Sequence, residues 1–264
     1  MGGMKWMART IRAGATWEKY DFPVPLAAKP KGRRMQKCTP RKQDENEHRA
    51  EKRLARLLNC NFKHNDALLT LTWDEDHVAE LGDPADANAA RAIAEKAADN
   101  FLARVKYHLR RAGKTLGVYI LVVSDMDGDT GELVRPHVHL VVKGSAVRME
   151  DGKLYAGAVD LEALWGRGSI NLRALHDQPD LTPVAVYLMR QVRRQPDKAK
   201  YRAARGMKKP VIVDEEIVSG RRELRAPKGA KIVYRSAYEP GKPQYIRYVM
   251  PEKKPRKRGG KKLE

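Results

Sequence analysis

Polar and apolar positions alternate through "NDALLTLTWDED" (Asn65 to Asp76), which sets Leu69, Leu71 and Trp73 on one side of an extended chain and Leu68, Thr70 and Thr72 on the other. The period then lengthens. Ile93, Ala97, Phe101, Val105 and Leu109 recur every fourth residue, so a helix is predicted over 84–112, capped by Asp83 or Asp86 and ended by Gly113. "GVYILVVSD" reads as a second strand that turns through the Asp/Gly-rich "MDGDTGE" into a third, "RPHVHLVVKG". A short helix "DLEALW", a strand in "GRGSINLRAL" and a helix opening at Thr182 with Pro183 in its first turn follow. Upstream, "DENEHRAEKRLARLL" suits an exposed helix. This order of elements predicts an α+β fold: a central antiparallel sheet with helices packed on it.

The ends read differently. Residues 1–43 mix Gly, Pro and Lys/Arg and are expected to form a basic arm with little structure of its own, ahead of a domain over 44–200. A basic extension over 201–250 contains a hairpin from "AKIVYRSAY" and "PQYIRYVM", and 251–264 is expected to be a disordered basic tail. Of the net charge of +20, residues 1–60 supply +9 and residues 190–264 supply +16, while 61–189 carry −5. Basic flanks around an acidic middle suit a nucleic-acid enzyme, whose ends hold phosphates while its centre holds metal-binding carboxylates. No apolar run is long enough to span a bilayer and the N-terminus lacks a signal peptide's apolar core, so a cytoplasmic protein without membrane contact is expected. Cys38 and Cys60 are too few for a disulfide framework. With His64 they match no paired zinc-ligand spacing, and reduced thiols are the plainer reading.

Residues two apart in a strand share a face, so His137 and His139 stand about 7 Å apart at Cα with both rings aimed at one place. Two half-buried strand histidines would account for the pair alone; their neighbours favour a metal. In a hairpin centred near Thr130, Asp125 falls on the same face and completes a two-histidine, one-carboxylate site for Mn²⁺ or Mg²⁺. A one-residue shift of register would move it to the opposite face, and Glu132 is then the reserve. The Asp125, Asp127, Asp129 series fits a polar turn better than a calcium loop, since Pro136 stands where the last glutamate belongs. On "TPVAVYLMRQVRR", taken as one helix, Ala185, Leu188, Met189 and Val192 gather on one face, and Val184, Tyr187, Arg190, Gln191 and Arg194 on the other. Tyr187 is thereby centred on a cationic face suited to meet a phosphate.

Three motifs now stand in order: the strand "LLTLTW", the strand "RPHVHLVV" and, 48 residues after His139, Tyr187 on a helix. They resemble motifs one, two and three of the HUH endonucleases that initiate rolling-circle replication of phages and plasmids. "NFKHNDALLTLTW", "LWGRG" and "ARGMKKPV" are similar to segments around those motifs in the phage-type replication proteins, and the resemblance covers roughly residues 45–215. It implies a ferredoxin- or RRM-like sheet, nicking and rejoining of single-stranded origin DNA through a 5′-phosphotyrosine on Tyr187, and a divalent metal on His137, His139 and Asp125. It further implies a phosphate clamp at Arg190 and DNA contacts from Gln191, Arg193, Arg194, Lys208, Lys209, Thr70 and Thr72, with a host helicase and polymerase as partners. Two departures stand out. Arg190 replaces the lysine that often lies three residues after the tyrosine, and Gln191 occupies the place of a second tyrosine. Tyr201 is about 21 Å further along a continuous helix, so a single-tyrosine enzyme is expected. A relaxase or single-strand transposase would share the chemistry; a non-catalytic nucleic-acid-binding protein would bind without cleaving, and a His-x-His metallohydrolase would not need Tyr187.

Overall fold

The computed structural model describes residues 4–26, 39–195, 198–218 and 220–251. Its elements, in chain order, begin with strands β1 (Met4–Ala13) and β2 (Thr16–Pro25), helix α1 (Pro40–Asn61), strand β3 (Ala67–Leu71) and helix α2 (Ala87–Arg111). Next come β4 (Tyr119–Met126), β5 (Leu133–Val142), β6 (Arg148–Glu150), β7 (Lys153–Ala156), β8 (Val159–Asp160), α3 (Leu161–Trp165) and β9 (Ile170–Ala174). Helix α4 (Thr182–Arg190), β10 (Arg202–Ala203), β11 (Val211–Glu216), β12 (Lys231–Arg235) and β13 (Tyr245–Val249) follow, and the described residues form an α+β arrangement of antiparallel sheets and four α-helices. The chain divides into two units, residues 35–209 and the two ends, 1–34 with 210–264.

In the larger unit, five antiparallel strands run in the order β10-β4-β5-β3-β9, so the histidine strand is central. The side-chain period of two sorts each strand between two cores. Leu69, Leu71, Leu121, Val123, Val138 and Leu140 pack against Phe101, Val105 and Leu109 of α2, while Leu68, Ile120, Val122 and Val141 pack against Leu54 and Leu58 of α1 and Leu188 and Met189 of α4. Each such buried side chain contributes about 1.5–3 kcal/mol. The wholly buried Trp165 sits edge-on to Trp73 at 4.8 Å and donates its indole N–H to the Thr72 carbonyl at 2.8 Å. The "WGRG" turn after it brings backbones so close that a Cβ on Gly168 (φ +145°) would lie 2.5 Å from that carbonyl oxygen.

Local signals set most helix starts. Thr39 caps α1 ahead of Pro40, which begins that helix before Asp44, and Asp86 rather than Asp83 caps α2 by accepting from Asn88 and Ala89 N–H. Helix α4 stops at Arg190 instead of running on to Arg194. The cause lies in β4: the Gln191 carbonyl accepts the amides of Asp125 (3.0 Å) and Met126 (3.1 Å), and Asp125 takes the Arg193 N–H at 3.0 Å, so the next helical turn has lost its partners.

The smaller unit corrects the expectation of an unstructured arm. Residues 4–25 form a hairpin at the middle of a sheet ordered β11-β1-β2-β13-β12. Its strands are joined by the two-residue turn Gly14-Ala15, with Gly14 at φ +59° in the first central position, as tight hairpins favour. The expected hairpin near the C-terminus is present as β12 and β13, but it pairs onward with β2. Cys38 and residues 252–264, including the expected tail, lie outside the described residues. No helix of the described residues is long and apolar enough to cross a membrane.

Candidate functional site

His139 pairs with Thr70 of β3 on one side and Val122 of β4 on the other, and His137 pairs with Ser124, so both histidines face the layer of α1 and α4. His139 is 1% exposed and His137 half-buried. Their Nε2 atoms stand 3.1 Å apart, and the Gln191 carboxamide oxygen lies 3.0 Å from His137 Nε2 and 3.1 Å from His139 Nε2. The opposite ring nitrogens have partners of their own. His137 Nδ1 lies 3.3 Å from the Arg135 carbonyl and His139 Nδ1 lies 3.1 Å from Thr70 Oγ1, partners that can hold the Nδ1 protons and free both Nε2 atoms for a cation; without one, an Nε2 proton can be donated to Gln191 Oε1. Burial, reinforced by the neighbouring His137, holds His139 down at about 4, so its ring is neutral at ordinary pH.

Two ring nitrogens and one amide oxygen thus face one another. Donors bound at roughly 2.1 Å stand about 3.0 Å apart around an octahedral ion and about 3.4 Å apart around a tetrahedral one. The observed triangle of 3.0–3.1 Å is compatible with octahedral spacing, as it is with hydrogen bonds among the three groups, and two imidazoles with a carboxamide oxygen suit Mn²⁺ or a later first-row ion better than Mg²⁺. The residues present therefore fit a divalent cation.

Asp125 is not among them. The strands pair one residue away from a hairpin centred near Thr130: Ser124, not Asp125, lies opposite His137, so alternation sends the Asp125 carboxylate to the other side of the sheet, where it meets Arg91 of α2 at 2.8 Å and Arg193 Nε at 3.4 Å. Glu132 is exposed in the turn after β4, and among the described residues no three His, Cys, Asp or Glu side chains gather as metal ligands. The Asp127 carboxylate instead accepts the N–H groups of Asp129 and Thr130, both at 2.8 Å, which makes this the expected polar turn. Gln191, which sequence reasoning had assigned to DNA, would be the third donor. Its position one helical turn after Tyr187 was the available signal, because i and i+4 share a face.

Tyr187 is 49% exposed, with its ring centroid 5.7 Å from that of His139. It lines a cleft of about 470 Å³ together with His137, Gln191, Arg190 and the turn from Met126 to Asp129. Arg190 is exposed on the rim and has no ion-pair partner among the described residues. The remaining candidates are engaged elsewhere. Val184 is buried in the core rather than beside Tyr187; Arg193 binds Asp125, the Ala87 carbonyl and Asn88; Arg194 binds Asp44 and Glu47 of α1. Thr70 orients His139, and Thr72 Oγ1 meets Ser169 Oγ at 3.1 Å. Lys208 and Lys209 are exposed, with the Lys208 backbone clasped by the Asn61 side chain at the end of α1, and neither lines the cleft.

Comparison of the chain with protein-family models, with curated proteins and with solved structures returned no match.

Proposed function

We propose that the larger unit is a single-tyrosine HUH-type nuclease that nicks and rejoins single-stranded DNA at a replication origin. The observation that carries this reading is the meeting of His137 Nε2, His139 Nε2 and Gln191 Oε1 within 3.0–3.1 Å of one another, beside an exposed Tyr187 one helical turn before Gln191. A central histidine strand in a five-stranded antiparallel sheet supports the ferredoxin-like HUH fold.

His137, His139 and Gln191 would hold Mn²⁺ or Mg²⁺, which supplies Lewis acidity toward a phosphate oxygen. Thr70 and the Arg135 carbonyl would hold the two rings by their Nδ1 atoms, leaving both Nε2 lone pairs to the ion. Arg190 on the rim clamps the phosphate. Tyr187 loses its phenolic proton to solvent and its Oη attacks phosphorus; the bond to the 3′ oxygen breaks and that oxygen takes up a proton. The products are a 5′-phosphotyrosine and a free 3′-hydroxyl that can prime synthesis by a host helicase and polymerase. Attack by a 3′-hydroxyl on the phosphotyrosine reverses the exchange and needs no nucleotide cofactor. A relaxase or transposase would use the same steps on a different DNA.

Incubation of the protein with labelled single-stranded DNA and Mn²⁺ tests the reading. A covalent adduct on a denaturing gel, mapped to the Tyr187 peptide and absent in Tyr187→Phe, is expected. Cleavage by Tyr187→Phe at the wild-type rate would replace transesterification with simple metallohydrolysis.

A further inference from the structure

A row of aromatic rings crosses the sheet of the smaller unit. The register Arg9↔Tyr20↔Tyr245, with Met7↔Phe22, puts Arg9, Tyr20, Phe22 and Tyr245 on one side, and Tyr234 joins them from β12 by pairing with Arg247. Ring centroids are 5.6 Å apart from Phe22 to Tyr20, 6.3 Å from Tyr20 to Tyr245 and 5.8 Å from Tyr245 to Tyr234. The Arg9 guanidinium, braced by Asp214, lies 5.3 Å from the Phe22 centroid and 5.8 Å from that of Tyr20. Tyr245 donates to Glu18 at 3.0 Å. These rings are positioned by polar partners and belong to neither hydrophobic core; Tyr234 is 53% exposed and the other three are half-buried.

The charge around this row indicates what it meets. The described residues of the unit, 4–26 with 210–218 and 220–251, carry 12 Lys/Arg against 7 Asp/Glu, a net positive charge. On the aromatic side itself, Lys231 is exposed and has no ion-pair partner among the described residues. A cationic unit attracts a polyanion, and evenly spaced rings interleaved with arginine offer stacking to unpaired bases, each of which has a π-face. Duplex DNA hides those faces, and an acidic peptide would make no use of four rings.

We propose that Phe22, Tyr20, Tyr245 and Tyr234 form a stacking platform for the bases of single-stranded nucleic acid, a second binding surface that does not rest on the nicking chemistry of Tyr187. The full chain is titrated with a fluorescent 20-mer of oligothymidylate and with a duplex of equal length, and is also photocrosslinked to the same oligomer carrying 5-iodouracil. Adducts on Tyr20, Tyr234 or Tyr245 are expected, with tighter binding of the single strand than of the duplex. Binding should weaken about tenfold in Tyr234→Ala, with an unchanged salt slope because no cation is removed, and should recover in Tyr234→Phe. Crosslinks found only outside these residues, or duplex bound as tightly as single strand, would overturn the proposal. Metal affinity of the His137–His139 site in Tyr234→Ala is the control, since it stays at the wild-type value whether or not the platform exists.

Discussion

Asp125 and Arg91 meet at 2.8 Å inside the larger unit, with 2% and 4% of their side chains exposed, on the side of the sheet away from the histidines. The pair ties β4 to α2. Through the Arg193 N–H it also anchors the segment in which Gln191 sits, so this carboxylate supports the site without facing it.

Removing one partner of a buried ion pair leaves the other charge uncompensated. Asp125→Ala should therefore lower stability by about 3–5 kcal/mol in denaturant unfolding. Divalent-cation affinity of the folded fraction, measured by calorimetry, should change far less than in a histidine variant. A loss of metal binding without a loss of stability would return Asp125 to the ligand set.

Gln191 provides the opposite contrast. Gln191→Ala removes a donor oxygen and should weaken Mn²⁺ binding by an order of magnitude or more with little effect on unfolding, as should alanine at His137; alanine at the buried His139 should weaken it too and also cost stability by leaving a cavity. Gln191→Glu substitutes a charged oxygen and should tighten it. Equal affinities in Gln191→Ala and wild type would leave the metal to the two imidazoles alone.

Thr70→Val keeps the shape and deletes the partner of His139 Nδ1. The expected result is a 10- to 100-fold loss of metal affinity against only about 1 kcal/mol of stability. An unchanged affinity would show that packing alone orients the ring.

Two nearby substitutions grade the nucleophile assignment. Tyr201 is half-buried against the core of α1 and α4, and burial raises its phenol above the ordinary value, so Tyr201→Phe should leave the covalent adduct intact. Arg190→Ala should slow adduct formation without abolishing it, since a clamp is lost and the attacking oxygen is not. A gel that shows no adduct in Tyr201→Phe would move the nucleophile.

The sequence was most legible where chemistry depends on local periodicity. His-x-His on an alternating strand and Tyr187 on a helix follow from periods of 2 and 3.6, and both occupy the places those periods assign. Asp125 was misplaced because the hairpin is centred between Thr130 and Gly131 rather than on Thr130, a one-residue shift that moves every β4 side chain to the other face and that the Asp/Gly-rich turn does not resolve. The end of α4 was misjudged for a related reason: its terminating hydrogen bonds come from β4, more than sixty residues earlier. The N-terminal hairpin was missed because Lys, Arg and Glu punctuate both faces of a thin sheet, which blurs the alternation. "AGAT" was its one local cue.

Thr16 of the N-terminal hairpin pairs with Val249, more than two hundred residues later. During synthesis β2 must wait with one edge unpaired while the whole larger unit emerges and folds from its own nearer contacts. The smaller unit is thus the last part of the described chain to close, and any chain ending before β13 leaves the edge of β2 that β13 covers open, a template for pairing between molecules rather than within one.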